Sequence, residues 1–205
     1  ECLEKGVEYI HWDEKRKAYQ NQTGDIRRGV GMALFSYKTG VWPISLEIAG
    51  ARLSLNQDGS VQLQVGATEI GQGADTVFSQ MAAETLHMDI SRVHIVTQQD
   101  TDVTPFDTGA YASRQSFVTG TAVKECAQQL KQKILEYART LVPGNVDRLE
   151  LEDGYILADG KPAISLEDLA MESYYSLSNS SVLTAEVSRQ VKKNTVASGC
   201  CFAEV

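Results

Sequence analysis

Two segments of alternating apolar and polar residues lie on either side of a tight turn and restrict the fold of this chain. Apolar residues alternate with polar ones over residues 51–55 and again over 61–65, which is the pattern of strands with one buried face. Asp58-Gly59 between them is typical of hairpin turns. The sequence therefore predicts an antiparallel hairpin, and a glycine-rich turn leads from its second strand into a helix over residues 74–87.

Other patterns complete the expected fold. Apolar residues recur at steps of three and four over 123–141, which predicts an amphipathic helix. Ser165 begins a capping box for a short helix. We expect a surface helix over 3–19, strands over 41–48, 93–97 and 196–205, hairpin turns at Asp153-Gly154 and Asp159-Gly160, and irregular chain over 174–194. The predicted class is α+β, a mixed β-sheet packed by two or three amphipathic helices.

The net charge of the chain limits the kinds of partner that we expect it to bind. The chain has 19 Lys and Arg against 27 Asp and Glu, a formal charge of −8, and 42% of its residues are hydrophobic. An acidic surface repels phosphate backbones and anionic lipids, so we expect no nucleic-acid and no membrane partner. The four cysteines follow no disulfide or metal-binding pattern and no secretory signal is evident, so the expected compartment is the cytoplasm.

The segment most suited to chemistry is the glycine-rich turn that ends in Gly71-Gln72-Gly73. Glycines let a backbone approach a ligand closely, and free amides at a helix start favour an oxyanion or a phosphate. The turn has neither the lysine of a P-loop nor the third glycine of the dinucleotide fingerprint. The residues alone leave two interpretations open, an anionic cofactor site and a plain turn and helix cap. Glu69 beside the turn is expected to be a capping residue rather than a base.

Three segments carry a resemblance to a known family. Residues 69–76, Glu-Ile-Gly-Gln-Gly-Ala-Asp-Thr, resemble the Glu-Met-Gly-Gln-Gly-x-x-Thr signature of the xanthine dehydrogenase and aldehyde oxidase family of molybdenum hydroxylases. Residues 108–116 resemble the small-residue loop with a Ser-Arg core of that family, and residues 27–31 its Arg-Gly-x-Gly segment. Residues 98–105 are similar to the molybdenum-binding subunits of bacterial xanthine dehydrogenases.

The resemblance implies a molybdopterin cofactor, in the plain or the cytosine dinucleotide form, and a set of residues that hold it. Gln72 and Ala112 would lie against the molybdenum, and Ser113, Arg114 and Gln115 would hold the pterin or its phosphates. The implied cofactor-binding set is Gly71, Gln72, Gly73, Thr76, Ala112, Ser113, Arg114 and Gln115. Three acidic residues in the preceding loop, Asp100, Asp102 and Asp107, lack the calcium-loop pattern and are expected to shape turns.

The resemblance also implies a larger protein. The family's catalytic general-base glutamate lies in a Gly-x-Gly-Glu segment, and none occurs here, so we expect an interior piece of a molybdopterin-binding domain that is inactive alone. We expect a lead-in helix and loop over 1–24, a cofactor-binding core over 25–142, and hairpins, a short helix and a terminal strand over 143–205. Iron–sulfur and FAD subunits or domains, a purine-like substrate and a homodimer are the implied partners.

The function that these expectations describe is oxidative hydroxylation of a purine or related heterocycle with water as the oxygen source. Two alternatives stay open. The first is a subunit of an aldehyde oxidase-type enzyme or of another heterocycle hydroxylase. The second is a non-catalytic α+β interaction domain, in which the glycine turn is only a helix cap.

Overall fold

The computed structural model describes all residues from 1 to 205, and they form two compact units. The first comprises Glu1–Thr39 with Asn194–Val205, and the second comprises Gly40–Lys193. The helices are α1 (Cys2–Tyr9), α2 (Trp12–Ala18), α3 (Ala74–Leu86), α4 (Gln115–Leu141) and α5 (Leu166–Tyr175). The strands are β1 (Val30–Thr39), β2 (Ile48–Leu55), β3 (Val61–Val65), β4 (Val93–Ile95), β5 (Leu149–Glu152), β6 (Tyr155–Ala158), β7 (Lys161–Ser165), β8 (Thr184–Gln190) and β9 (Thr195–Glu204). No helix combines the length and the hydropathy that a membrane-spanning segment requires.

A mixed four-stranded sheet in the order β4-β3-β2-β8 is the centre of the second unit. Its middle strands form the predicted antiparallel hairpin, in which Leu53 pairs with Leu63. The Asp58 carboxylate accepts the backbone amide of Ser60 at 2.9 Å and so closes the hairpin turn. The β3 and β4 strands run parallel, and the chain between them contains the glycine turn and α3. The glycine turn therefore begins where a central strand ends.

The main hydrophobic core lies between this sheet and the helices α3 and α4. Leu53 and Leu63 of the sheet are fully buried, as are Phe78 of α3 and Leu130 and Ile134 of α4. Burying a side chain of this size contributes about 1.5–3 kcal/mol relative to leaving it exposed. This packing holds the N-terminal ends of α3 and α4 on a rigid support. The α+β fold with a mixed sheet and amphipathic helices is confirmed.

The other two sheets are smaller. In the second unit, β5, β6 and β7 form a three-stranded antiparallel sheet, and the Ser165 hydroxyl accepts the Asp168 amide at the start of α5, as the capping box predicted. In the first unit, β1 and β9 pair antiparallel over ten residue pairs. The Trp12 ring packs edge-on against Phe202 of β9, with centroids 5.8 Å apart.

The structure corrects three of the expected elements. The single helix expected over 3–19 is two helices, because His11 adopts a left-handed conformation with φ of 56°. The strand expected over 41–48 begins only at Ile48. The earlier residues form no strand because Pro43 has no amide to donate to a ladder and the Ile44 amide donates to the Val41 carbonyl in a turn. The irregular chain expected over 174–194 contains β8, whose pairing with β2 is a tertiary contact.

Helix α4 is also longer than predicted, since it begins at Gln115 rather than near residue 123. Its extra turns bury Val118 and Ala122 at the same spacing as the rest of the apolar stripe. The remaining expected elements are present: α3, β4, the two hairpin turns in the last third, and β9. The extension matters because it places the Ser-Arg loop at a helix N-terminus.

Candidate functional site

The first part of the candidate site is the glycine turn at the start of α3. Gly71 and Gly73 have φ values of +98° and +80°, in the left-handed region that residues with a Cβ adopt only at a cost. No heavy atom lies within 4 Å of where a Cβ would stand on either glycine. The turn therefore has open space beside it rather than packed protein.

Glu69 occupies the amides that the turn offers. Its carboxylate accepts the backbone N–H groups of Gly71 at 2.6 Å, Gly73 at 3.1 Å and Asp75 at 3.2 Å. These hydrogen bonds hold the pKa of Glu69 below its ordinary value, and the hydrogen bond from Gly73 has the largest effect on it. The capping interpretation of Glu69 is confirmed, and the N-terminus of α3 is neutralised by the chain's own carboxylate.

Asp75 places a second carboxyl group beside the first. Burial, and secondarily the charge of Glu69, raise the pKa of Asp75 above its ordinary value. Its Oδ1 atom is buried and has no hydrogen-bond partner in the protein, which makes it an acceptor that lacks a donor. Thr76, the next residue in the first turn of α3, is exposed. The turn thus combines an open surface with one unsatisfied acceptor.

Gln72 connects the glycine turn to the second motif. Its Nε2 donates to the Thr68 carbonyl at 2.9 Å and to the Gln115 Oε1 at 2.5 Å, and its Oε1 accepts the Ile70 amide at 2.6 Å. Gln115, which is buried, donates from its own Nε2 to the same Thr68 carbonyl at 3.1 Å. The two loops that the resemblance singled out, 43 residues apart, therefore meet through a pair of glutamine side chains.

The second part of the site is the turn that precedes α4. Ala112 and Ser113 have φ values of 48° and 53°, and a left-handed conformation costs a residue with a Cβ about 1–2 kcal/mol. The Ala112 carbonyl accepts the Gly40 amide at 2.8 Å. No side chain caps the N-terminus of α4, and its first turn has no acidic residue. In contrast to α3, this helix start has no carboxylate, and two of its amides, those of Arg114 and Phe117, donate to the Tyr111 and Arg114 carbonyls.

Arg114 is the residue whose placement differs from the expectation. The resemblance implies that Arg114 holds the pterin or its phosphates, but its side chain is fully buried. The guanidinium bonds to Glu47, Asp107 and two backbone carbonyls inside the protein. Burial alone would lower its pKa, but these carboxylates outweigh burial and raise it above the ordinary value. The side chain is a permanent internal cation rather than a group exposed to a ligand.

Residues 98–114 form a loop that lies directly on the central sheet. A Cβ on Gly66, at the end of β3, would overlap the carbonyl oxygen of Pro105. Within the loop, Asp100 accepts the Asp102 amide at 2.9 Å and Asp107 accepts the Gly109 amide at 2.8 Å. These aspartates shape turns, as expected. The chain has no cluster of three or more His, Cys, Asp or Glu side chains that could hold a metal ion.

Two important residues were missed in the sequence analysis. Glu47, which is fully buried, pairs with Arg114, and Asp107 was considered only as a turn former. A charged residue in the apolar run around Glu47 is a usable signal, because a buried carboxylate needs a partner. The sequence around Glu47 does not indicate which cationic side chain is its partner.

Comparisons with known proteins agree with the sequence motifs. The model of a family described as the molybdopterin cofactor-binding domain matches residues 5–205. Over its whole length the chain is 49% identical to the xanthine dehydrogenase molybdenum-binding subunit of Escherichia coli O157:H7, and it spans 28% of that protein. Subunit gamma of the 6-hydroxypseudooxynicotine dehydrogenase complex of Paenarthrobacter nicotinovorans is 29% identical over 83% of the chain and 20% of its own length.

A solved structure supports the same conclusion about the fold. Reconstituted CO dehydrogenase from Oligotropha carboxidovorans superposes with a TM-score of 0.79, at 20% identity, over 99% of this chain and 27% of its own. The relatives are thus much longer than this chain. The match of the family model to nearly every residue and the identity to the E. coli subunit show that the chain belongs to the molybdopterin cofactor-binding domain family.

Proposed function

We propose that this chain is the cofactor-holding part of a molybdenum hydroxylase, in which the glycine turn and the turn before α4 together bind molybdopterin. The observation that carries the proposal is the hydrogen bond between Gln72 and Gln115, which joins the two motif loops. Open space beside Gly71 and Gly73 leaves room for a ligand at this junction. An isolated helix cap has no need of the second loop.

The donors and acceptors of this site match the chemistry of the cofactor. The phosphate of the cofactor needs hydrogen-bond donors, and the uncapped start of α4 offers backbone amides together with the exposed Ser113. The amides of α3 are taken by Glu69, so the anionic end of the cofactor belongs at α4. Thr76 adds an exposed hydroxyl nearby in sequence.

Gln72 and Ala112 are the residues that we assign to the metal end of the cofactor. The amide of Gln72 is held in one orientation, because Nε2 has two acceptors and Oε1 accepts the Ile70 amide. One lone pair of that oxygen remains available, since an amide oxygen can accept two hydrogen bonds. Ala112 has a small side chain and so leaves space. When bound, the molybdenum cofactor supplies the redox centre for oxidative hydroxylation with oxygen from water.

For the intact protein we propose hydroxylation of a purine or related heterocycle, with iron–sulfur and FAD subunits or domains as electron-transfer partners. The name of the E. coli relative supports a purine, and that of the Paenarthrobacter relative supports a wider range of heterocycles. We also propose cytoplasmic location, homodimer formation and no activity for this chain alone. Residues 1–24 are the lead-in, 25–142 the cofactor-binding core and 143–205 the closing part of the domain.

The test is the metal and pterin content of the full-length subunit that contains this chain, purified from cells able to make the cofactor. We expect molybdenum and pterin to be stoichiometric with the subunit. Gln72→Ala should lower molybdenum occupancy or turnover about 10- to 100-fold, the usual cost of losing a residue that supports a metal centre. Gln80→Ala, which changes an exposed glutamine of the adjoining helix α3, should have no effect. A wild-type subunit without molybdenum and pterin would favour the interaction-domain alternative.

A further inference from the structure

Arg114 is the centre of a buried charge cluster directly below the turn that precedes α4. Its Nε donates to Glu47 Oε2 at 2.5 Å, and one Nη donates to Asp107 Oδ1 at 2.6 Å. The same Nη reaches the Gly109 carbonyl at 3.0 Å, and the other reaches the Ile48 carbonyl at 2.8 Å. All three charged side chains are fully buried. Hydrogen bonds to neighbouring groups within the protein therefore have to satisfy this cluster.

The two carboxylates link Arg114 to separate parts of the chain. Glu47 also accepts the Val41 amide at 2.5 Å, and it precedes the central strand β2. Asp107 also accepts the Thr119 hydroxyl of α4 at 2.7 Å. Three segments, one before β2, one in the 98–114 loop and one at the start of α4, are thus tied to one guanidinium.

The turn above this cluster needs such an anchor. Ala112 and Ser113 are consecutive residues with positive φ, and conformations of this kind persist only where the surrounding structure enforces them. Arg114 follows them directly in the chain. The Gly40 amide donates to the Ala112 carbonyl at 2.8 Å, and the next residue, Val41, donates its amide to Glu47. The cluster therefore holds the turn from both ends.

We propose that Arg114 is a positioning residue: its pairing with Glu47 and Asp107 holds the Ala112–Ser113 turn in the left-handed form that receives the anionic end of the cofactor. The guanidinium does not itself bind the cofactor, because its hydrogen bonds are directed inward and none of its surface is exposed. This inference rests on the proposed function, since it assigns a role to a residue within the same site.

Lysine at position 114 is the most informative change. Arg114→Lys keeps the positive charge between two carboxylates, but an ammonium is a point charge that cannot reproduce the fork of the guanidinium. In the full-length subunit we expect molybdenum and pterin content to fall about 10- to 100-fold, as for other groups that orient a ligand indirectly. Amide hydrogen exchange over 108–118 should speed up by about tenfold. Arg189→Lys, a change at an exposed ion pair with Glu125, should alter neither quantity.

A glycine rescue separates positioning from general stability. In cofactor-free protein, Ser113→Gly in the Arg114→Lys background should restore much of the protection against exchange over 108–118, because glycine adopts a positive φ without the anchor. The control is Asp153 in the β5–β6 hairpin, which also has a positive φ, of 46°. Asp153→Gly therefore relieves the same kind of strain away from the site. If the lysine variant merely weakened the fold, this distant glycine would rescue it equally well.

The outcomes are distinct. Loss of cofactor in the lysine variant, with protection over 108–118 restored by glycine at position 113 and not at position 153, supports the positioning role. Normal cofactor content and normal exchange over 108–118 in the lysine variant overturn it, as does equal rescue by the two glycines. A wild-type subunit without cofactor overturns the proposed function and this inference with it, whereas the other negative results leave the proposed function standing.

Discussion

Ser113 allows a quantitative test of backbone strain in the candidate site. With φ of 53°, serine already costs about 1–2 kcal/mol relative to an unstrained residue. Valine has a second heavy atom on Cβ, and positive φ is a true outlier for β-branched residues. We expect Ser113→Val to add about 1–2 kcal/mol of local strain. This energy corresponds to about a 5- to 30-fold loss in the population of the native turn.

The control for this change lies three residues further along. Ser116 is exposed in the first turn of α4, and serine and valine have similar helix propensities, so Ser116→Val should change the local stability little. Ser113→Ala removes the hydroxyl without branching at Cβ and should resemble the wild type. Neither control adds a β-branched residue at positive φ.

The assay is amide hydrogen exchange over residues 108–118 in the full-length subunit, prepared from cells that cannot make the cofactor. Cofactor-free protein is used so that loss of a serine hydroxyl cannot act through ligand binding. The Ser113→Val variant should exchange about 5- to 30-fold faster in this segment. Equal protection in Ser113→Val and Ser116→Val would refute the reasoning, because it would mean that the turn is not held in the left-handed form.

Two further predictions concern the support of the site. Gly66→Ala should destabilise the junction of β3 with the 98–114 loop by about 1–3 kcal/mol, because the new Cβ overlaps the Pro105 carbonyl. Gly31→Ala is the control, since nothing lies within 4 Å of its Cβ. Equal amide hydrogen exchange in the 98–114 loop of the two variants would contradict the prediction. Glu69→Gln should remove an acid dependence of α3 stability. Because the folded protein lowers the pKa of Glu69 below 4.5, the stabilisation is present above that value and disappears as pH falls through the lowered pKa. Exchange in the first turn of α3 from pH 7 to 3 measures it, and an unchanged profile in the variant would argue against the cap.

The elements that sequence patterns predicted are those whose signals are local. The β2–β3 hairpin follows from alternation and the Asp58-Gly59 turn, and the α5 start follows from Ser165, whose hydroxyl meets an amide three residues away. Strand β8 lacks such a signal, because only Ala185 and Val187 alternate among polar residues and its partner β2 lies more than 120 residues earlier.

In the candidate site, too, motifs identify residues, whereas the partners of these residues depend on tertiary contacts. Resemblance to a family singled out Gln72 and Gln115, but their hydrogen bond arises from the packing of α3 and α4 on one sheet. Arg114 was assigned to the pterin or its phosphates because residues 108–116 resemble the Ser-Arg loop of the family. The structure instead pairs it with Glu47, 67 residues away. Which carboxylate meets which cation is determined by tertiary contacts, and no spacing along the chain encodes it.

The long-range pairing of β2 with β8 has a consequence for biosynthesis. A ribosome delivers the N-terminal part first, so β2, β3, both motif loops and α4 emerge well before residues 184–190. Until then β2 has an unpaired edge, which is a template for misassociation, and α4 lacks the strand that completes its packing surface. The nascent chain therefore presents the two motif loops on an incomplete scaffold. We expect cofactor insertion to follow translation of this segment rather than accompany it.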